Sequence, residues 1–368
     1  MNFNFKKIVF CLCSLLLFSN IYSQNFTHQQ SVIDFLDRMA QKGKIEFNDL
    51  MKPVDRTTVY QLLDQLKNKT DLNEIEKKEV AFFIQLYQFD HISDSINIKP
   101  QFSYLTQNKK IQPPLFSYID KDFRVIFNPL FEYTVNTFSK SSILASSGFQ
   151  LMGYVGKKFG FQMSIRDVNE TGHFDSTKLD NSAMGIIRKT TINPQQLNYS
   201  QFNASISYRI NKATFTLGQG QQTIGYGKMG NIVLSDKAPS YPFFKIIYTP
   251  TRWLKFNYMH AWLQSGIVDS TKTYGLGNTV YGGKREIYVP KFFATHFVEI
   301  IPMRGLSINL GESIVYTDQL EVPYLIPISF FKAFDNNKFG DNILAGANGQ
   351  IFMEIGRASC RERVSSPV

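Results

Sequence analysis

The stretch that decides the fold is Phe202–Gly220, FNASISYRINKATFTLGQG. Ala204, Ile206, Tyr208 and Ile210 alternate with Asn203, Ser205, Ser207 and Arg209; beyond Asn211 and Lys212, Ala213, Phe215 and Leu217 alternate with Thr214, Thr216 and Gly218. A period of two on both sides of a two-residue turn predicts a β-hairpin with one apolar and one polar face. A soluble sandwich or barrel also has period-two strands. Its dry core, however, would have to find partners for Asn203, Ser205, Ser207 and Arg209. The pattern suits a wall with lipid on one side and a wet interior on the other.

The same alternation recurs along the chain. Phe149 to Gly156 turns through Lys157 and Lys158 into a strand carrying Phe159, Phe161, Met163 and Ile165; FFKIIY passes through TPTR into WLKFNYMHAWL, and FFATHFVEII through PMRG into LSINLGESIVY. The segments linking these hairpins are long, near 167–201, 220–241 and 264–290. Short turns at one end and long loops at the other describe an outer-membrane barrel. Strands of about 9 to 11 residues suit a tilted crossing. Aromatic residues make up 14% of the chain and gather at strand ends in YPFF, RWLKFNYMHAW and KFF, where interfacial girdles sit. After the leader there is no apolar run of about 18 residues that would make a membrane helix. The expected fold class is therefore mainly β: an outer-membrane antiparallel β-barrel preceded by a small N-terminal α-helical unit, placed in the outer membrane of a Gram-negative bacterium.

Residues 1–23 read as a signal peptide, with Lys6 and Lys7 before the apolar run Ile8–Phe18 and small Ser23 at its end. Residues 24–95 carry helical spacing. In TTVYQLLDQL, Val59, Leu62, Leu63 and Leu66 share a face behind Pro53 and Asp55, and Asn73 with Glu76 three residues on predicts a capped helix bearing Val80, Phe83, Ile84 and Tyr87. Residues 96–353 hold the barrel strands. Residues 354–368 are set apart as an artefact, because IGRASCRERV is what one reading frame of a common sequencing adapter encodes; the barrel is then incomplete and native sequence is expected to stop at Met353. Cys11 and Cys13 leave with the leader and Cys360 falls in the tail, so neither a disulfide framework nor a cysteine nucleophile is expected. The formal charge of +10 becomes +7 without the leader's two lysines and the tail's net +1. That balance favours acidic polymers or lipid headgroups over neutral partners. Nucleic acid is not an expected partner of an exported chain.

Catalytic chemistry is hard to find. His28, His91, His173, His260 and His296 lack metal-ligand spacing, and GQGQQTIGYGKMGN has neither a GK[ST] signature nor a following helix. No enzyme activity, metal or cofactor is expected, although a Ser–His pair using His296 is conceivable. The long loops are richer in cations. Arg188, Lys228 and Arg285 can pair with carboxylates or phosphates of an acidic glycan, and Tyr226, with Tyr241, Tyr274 and Tyr281, can stack on sugar faces. The competing use of each cation is to line a wet lumen or meet lipopolysaccharide phosphates.

The order of parts, with MKPVDRTTVYQLLDQL opening the helical unit and FTLGQGQQTIGYGKMGNIVLSDKAPSYPFFKI crossing the glycine-rich loop, resembles the Wzi family of capsule-assembly outer-membrane proteins. LMGYVGKKFGFQMSIRD and the run from HAWLQS to GESIVYTDQLEVPYLIPISFF are similar to the form found in Bacteroidetes. The likeness covers most of residues 45–353. It implies a monomeric, non-enzymatic barrel whose helices cap the periplasmic side and whose outer loops bind capsular polysaccharide. Similar proteins of gliding bacteria are associated with motility, and a passive porin or transporter is the remaining alternative. The resemblance places Gly225, Gly227, Ser235 and Pro239 on the matching motif in structural roles and carries no binding residue across.

Overall fold

The computed structural model describes residues 26–27, 30–47, 50–90, 98–101, 115–120, 122–136, 142–172, 196–227, 230–235, 240–277, 283–303, 306–317, 319–334 and 348–357. The leader, with Cys11 and Cys13, and tail residues 358–368, with Cys360, lie outside them.

One antiparallel sheet of twelve strands dominates. Its strands are β1 (Ile98–Gln101), β2 (Phe116–Ile119), β3 (Phe123–Asn136), β4 (Ser142–Val155), β5 (Phe159–Gly172), β6 (Gln196–Ile210), β7 (Ala213–Gly220), β8 (Tyr241–Thr251), β9 (Leu254–Val268), β10 (Tyr288–Met303), β11 (Leu306–Thr317) and β12 (Asn348–Arg357). Each pairs with its sequence neighbours, so the sheet is a plain meander. Among the described residues no pairing joins β1 to β12, and the wall is an open barrel. Connections 156–158, 211–212, 252–253 and 304–305 lie at one end, and the long 173–195, 221–240, 269–287 and 318–347 at the other, together with the short 137–141. Asn211, which makes the β6–β7 turn, has φ 49°, a left-handed conformation that Asn tolerates.

Burial is inverted relative to a water-soluble sheet. Thr216 lies opposite Ser207 and Lys245, and these polar side chains are 1%, 2% and 1% exposed. Leu217, opposite Ile206 and Phe244 on the other face, is 54% exposed, and Ile206 44%. The wet-looking face thus points inward and the apolar one outward. On β6 the outward set runs from Phe202 to Ile210. Nine residues at about 3.3 Å each, tilted by about 40°, span roughly 23 Å, close to the height of a lipid-facing band.

Inward polar groups satisfy one another. Arg166 Nη1 donates to Glu132 Oε2 at 2.7 Å, passing over Gly148 on the intervening strand. Lys255 and Glu299, register partners on β9 and β10, lie 3.3 Å apart, and Tyr199 donates to Glu170 at 2.8 Å. β12 pairs with β11 as far as Arg357, so backbone pairing runs across Glu354–Arg357. Ladder hydrogen bonds come from main-chain groups that every non-proline residue carries, whatever its side chain.

The N-terminal part forms three helices, α1 (Gln30–Gln41), α2 (Arg56–Lys67) and α3 (Glu74–Leu86). Asp55 caps α2 by accepting the Thr58 N–H at 2.9 Å. Burial raises the Asp55 carboxyl above its usual range, against the hydrogen bonds from Thr57 and Thr58. Asn73 and Glu76 form a reciprocal capping box on α3 (2.8 and 2.9 Å). Val32, Leu36, Met39, Val59, Leu63 and Phe83 meet in one apolar core. The unit is fastened to the sheet by a buried carboxylate: Asp90 accepts from Arg56 Nη2 at 2.8 Å and from the Tyr154 hydroxyl of β4 at 2.6 Å. Burial opposes the Arg56 charge, but the adjacent Asp90 outweighs it and raises the guanidinium's pKa. Arg124 of β3 adds a bond to the Phe89 carbonyl at 3.3 Å.

Removing one member of such a pair leaves the other buried and uncompensated. Asp90→Ala is expected to weaken docking of the helices by about 3–5 kcal/mol. Hydrogen exchange should show lost protection across Arg56–Lys67 with β4–β9 unchanged, and Asp90→Asn should do less harm.

Candidate functional site

The inner face of the sheet is occupied. After β7 the chain turns back inside the wall, past a tightly packed Gly218: a Cβ there would stand 2.8 Å from the Ala204 carbonyl and 2.9 Å from the Phe243 ring. Gln222 is then held by two strand residues. Its N–H donates to the Tyr241 hydroxyl (3.2 Å), and its Oε1 accepts from Lys245 Nζ (3.0 Å). Lys245 also lies 5.8 Å from the centroid of the Phe243 ring.

Thr223–Ile224 next pairs antiparallel with Met51–Lys52 of the helical unit, and the Gly225 N–H reaches the Leu50 carbonyl at 2.8 Å. Leu50, Ile224, Tyr241, Phe243, Met259 and Phe297 pack together as a second core inside the wall. The loop closes on itself where Ile224 bridges to Leu234. Gly225 has φ 142°, and a Cβ there would meet Asn231 Oδ1 at 2.7 Å; at Gly227 it would collide with the Gly230 carbonyl. Both are positions where only a glycine lets the backbone cross. Ser235 directly follows this closure.

Tyr226 sits elsewhere than a sugar-stacking role at the surface requires. Its hydroxyl lies 2.7 Å from Ser307 Oγ and accepts from Asn309 Nδ2 at 3.1 Å, both near the start of β11 at the short-turn end. Arg285 belongs to a two-residue ladder in the 269–287 connection at the long-loop end, where it is exposed and directly opposite Tyr274. Twelve steps along β10, Lys291 to Met303, separate the two ends, about 40 Å of strand. The structure therefore does not bring Tyr226 and Arg285 together, and it pairs Arg285 with Tyr274 instead. Arg188, Lys228 and Pro239 lie outside the described residues.

A second concave surface lies at the long-loop ends of β4, β5 and β6, with a volume of about 530 Å³. Ser147, Asp167, Asn169, Asn198, Tyr199 and Ser200 line it, and the Ser200 hydroxyl donates to Asp167 at 2.5 Å. Both histidines of the described strands face outward and are engaged: His260 Nε2 lies 2.8 Å from the Tyr316 hydroxyl, and His296 Nε2 lies 3.2 Å from Glu312. Neither contact is with a serine.

No family model matches the chain, and no curated protein matches it. Among solved structures it is similar to a Pseudomonas aeruginosa FadL homologue, at 8% identity and a TM-score of 0.28, over 56% of this chain and 60% of that one. The aligned part thus spans less than two thirds of that protein. At that score the likeness adds nothing to what the chain's own residues establish.

The loop residue Gln222 and its strand partners Tyr241 and Lys245 do not stand out in the sequence as a group. A usable signal exists in FFKIIY, where Lys245 takes the polar register of an otherwise apolar strand and so requires an inward partner.

Tyr226→Phe should leave Ser307 and Asn309 without that partner, at a cost of about 1–3 kcal/mol. Faster amide exchange at Thr223–Tyr226, with the β8–β11 ladder unchanged, is the expected reading.

Proposed function

We propose that the chain forms an outer-membrane barrel that binds acidic capsular or extracellular polysaccharide at the cell surface and helps to assemble it there, without catalysing a reaction. The observation that supports this best is the filled interior: one loop and the 50–52 segment cross the inner face from β8 to β11 and remove much of the free lumen a diffusion pore uses. Function then moves to the long-loop end. The exposed Tyr274–Arg285 pair joins an aromatic face to a guanidinium there, a combination suited to stacking on a sugar ring while pairing with its carboxylate. Arg188 belongs to another of the long connections, 173–195, whereas Lys228 belongs to the 221–240 connection that turns inward. The outward apolar band would meet membrane lipid and lipopolysaccharide, and the protein would act as a monomer.

The polar inner face favours a second reading, a porin or transporter. The two separate cleanly. Full-length protein in detergent is expected to retain a uronic-acid glycan such as hyaluronate over neutral dextran. Joint replacement of Arg188 and Arg285 by Gln should weaken retention at least about tenfold, or about 1.4 kcal/mol, whereas Lys228→Gln in the inward loop should change it little. No retention alongside robust conductance in planar bilayers would falsify the polysaccharide reading.

The membrane reading has its own test. Leu217→Arg places a charge in the outward band and is expected to cost about 2–4 kcal/mol of folding stability in lipid vesicles if it sits near the midplane. Thr216→Ser, one residue away and inward, should be nearly silent in the same urea titration.

A further inference from the structure

The outward faces of β9–β11 break the rule that the rest of the sheet obeys. His260, His296 and Glu312 take outward register positions in mid-strand, between Phe256 and Trp262, Phe292 and Ile300, and Ile308 and Tyr316. Glu312 is nevertheless only 4% exposed. It is covered by residues 319–334 of the β11–β12 connection, which fold back down over the outside of the wall. Glu312 Oε1 accepts the Phe331 N–H at 2.7 Å and Oε2 the Lys332 N–H at 3.3 Å, while Tyr258 donates to the Tyr324 carbonyl at 2.9 Å. Tyr324 and Phe331 then pack on Phe292, Ala294, Ile314 and Tyr316.

We infer that residues 319–334 form a strap lying within the lipid bilayer, pinned by Glu312 to the outer wall and presenting its own apolar side chains to acyl chains. The inference rests on the membrane reading above. Depth follows from register: Glu312 pairs with His296 and Ile351, in line with the same outward band, so a segment bonded to its carboxylate shares its depth. A bare carboxylate at that depth is costly, and two N–H donors with a histidine remove most of the cost. The far side of the strap is apolar: Val322, Ile326 and Phe330 are exposed, and Ile328 is 84% exposed.

Lipid supplies no hydrogen bonds, and part of the strap's backbone is already provided for. Pro323 and Pro327 carry no N–H, and those of Tyr324, Ile326, Ser329 and Phe334 bond within the strap. The exposed Lys332 has a stem long enough to carry its ammonium toward the interface. The strap is thus no surface loop open to glycan, and its partner is the hydrocarbon of the membrane.

Nitroxide labels at Ile328→Cys and, as reference, Leu217→Cys test this in full-length protein reconstituted in phosphatidylcholine vesicles, with Cys11, Cys13 and Cys360 changed to Ser. Both labels are expected to collide several-fold more with oxygen than with a water-soluble nickel chelate. A lipid-exposed label at 217 with a nickel-accessible one at 328 would overturn the strap alone. Nickel access at both sites would overturn the membrane reading and the strap with it. Glu312→Leu should sharpen the spectrum at 328 while Glu312→Gln, which keeps an acceptor, should not; an unchanged spectrum in Glu312→Leu would remove the pinning role.

Discussion

The strands of this sheet turn an apolar face outward and a polar face inward, and the side-chain period of two is what keeps the two faces apart. A slip of one residue would exchange Ser207, Thr216 and Lys245 for Ile206, Leu217 and Phe244 all along the wall, so register here is fixed from both faces at once. A soluble sheet specifies register through one dry face. This one also requires its polar row to find partners, which is why ion pairs such as Arg166–Glu132 and Lys255–Glu299 lie inside it. Gly148, between the first pair, has no room for a side chain, since a Cβ there would run into the Ile165 carbonyl.

The small helical unit follows from that inner chemistry. Its own core is modest, and its attachment is polar and specific: Asp90 ties Arg56 to Tyr154. The chain just before α2 lends a two-residue strand to the loop that turns inside the barrel. The inner loop and the helices therefore support each other, and neither meets the lumen as a free segment. Exposed polar and aromatic groups remain in the long connections, where Tyr274 faces Arg285.

Hairpins with clean alternation were legible in the sequence, as FNASISYRINKATFTLGQG shows, and so were the caps at Asp55 and Asn73. β3 was not. Its outward row of Val125, Phe127, Pro129, Phe131, Tyr133 and Val135 is regular, but Ile126 and Leu130 interrupt the polar row and Pro129 argues against a strand. Tyr226 misled for a different reason. Aromatic residues in a long connection look like surface anchors, and nothing in GQGQQTIGYGKMGN says that the connection runs inward. The strap was invisible because EVPYLIPISFF has the composition of a strand end or girdle, while the residue that places it, Glu312, lies in another element.

Taken together, Lys245 and Glu312 suggest how a barrel of this kind assigns its loops. Each is a charge held in mid-strand, one on the inner face and one on the outer. Neither position offers bulk water, so each charge needs a partner delivered by a connection long enough to return to it. The 221–240 connection delivers Gln222 to Lys245, and the 318–347 connection delivers the Phe331 and Lys332 amides to Glu312. In both cases one ionisable side chain in mid-strand is met by an adjoining long connection, which lies inside the wall for Lys245 and against its outer face for Glu312.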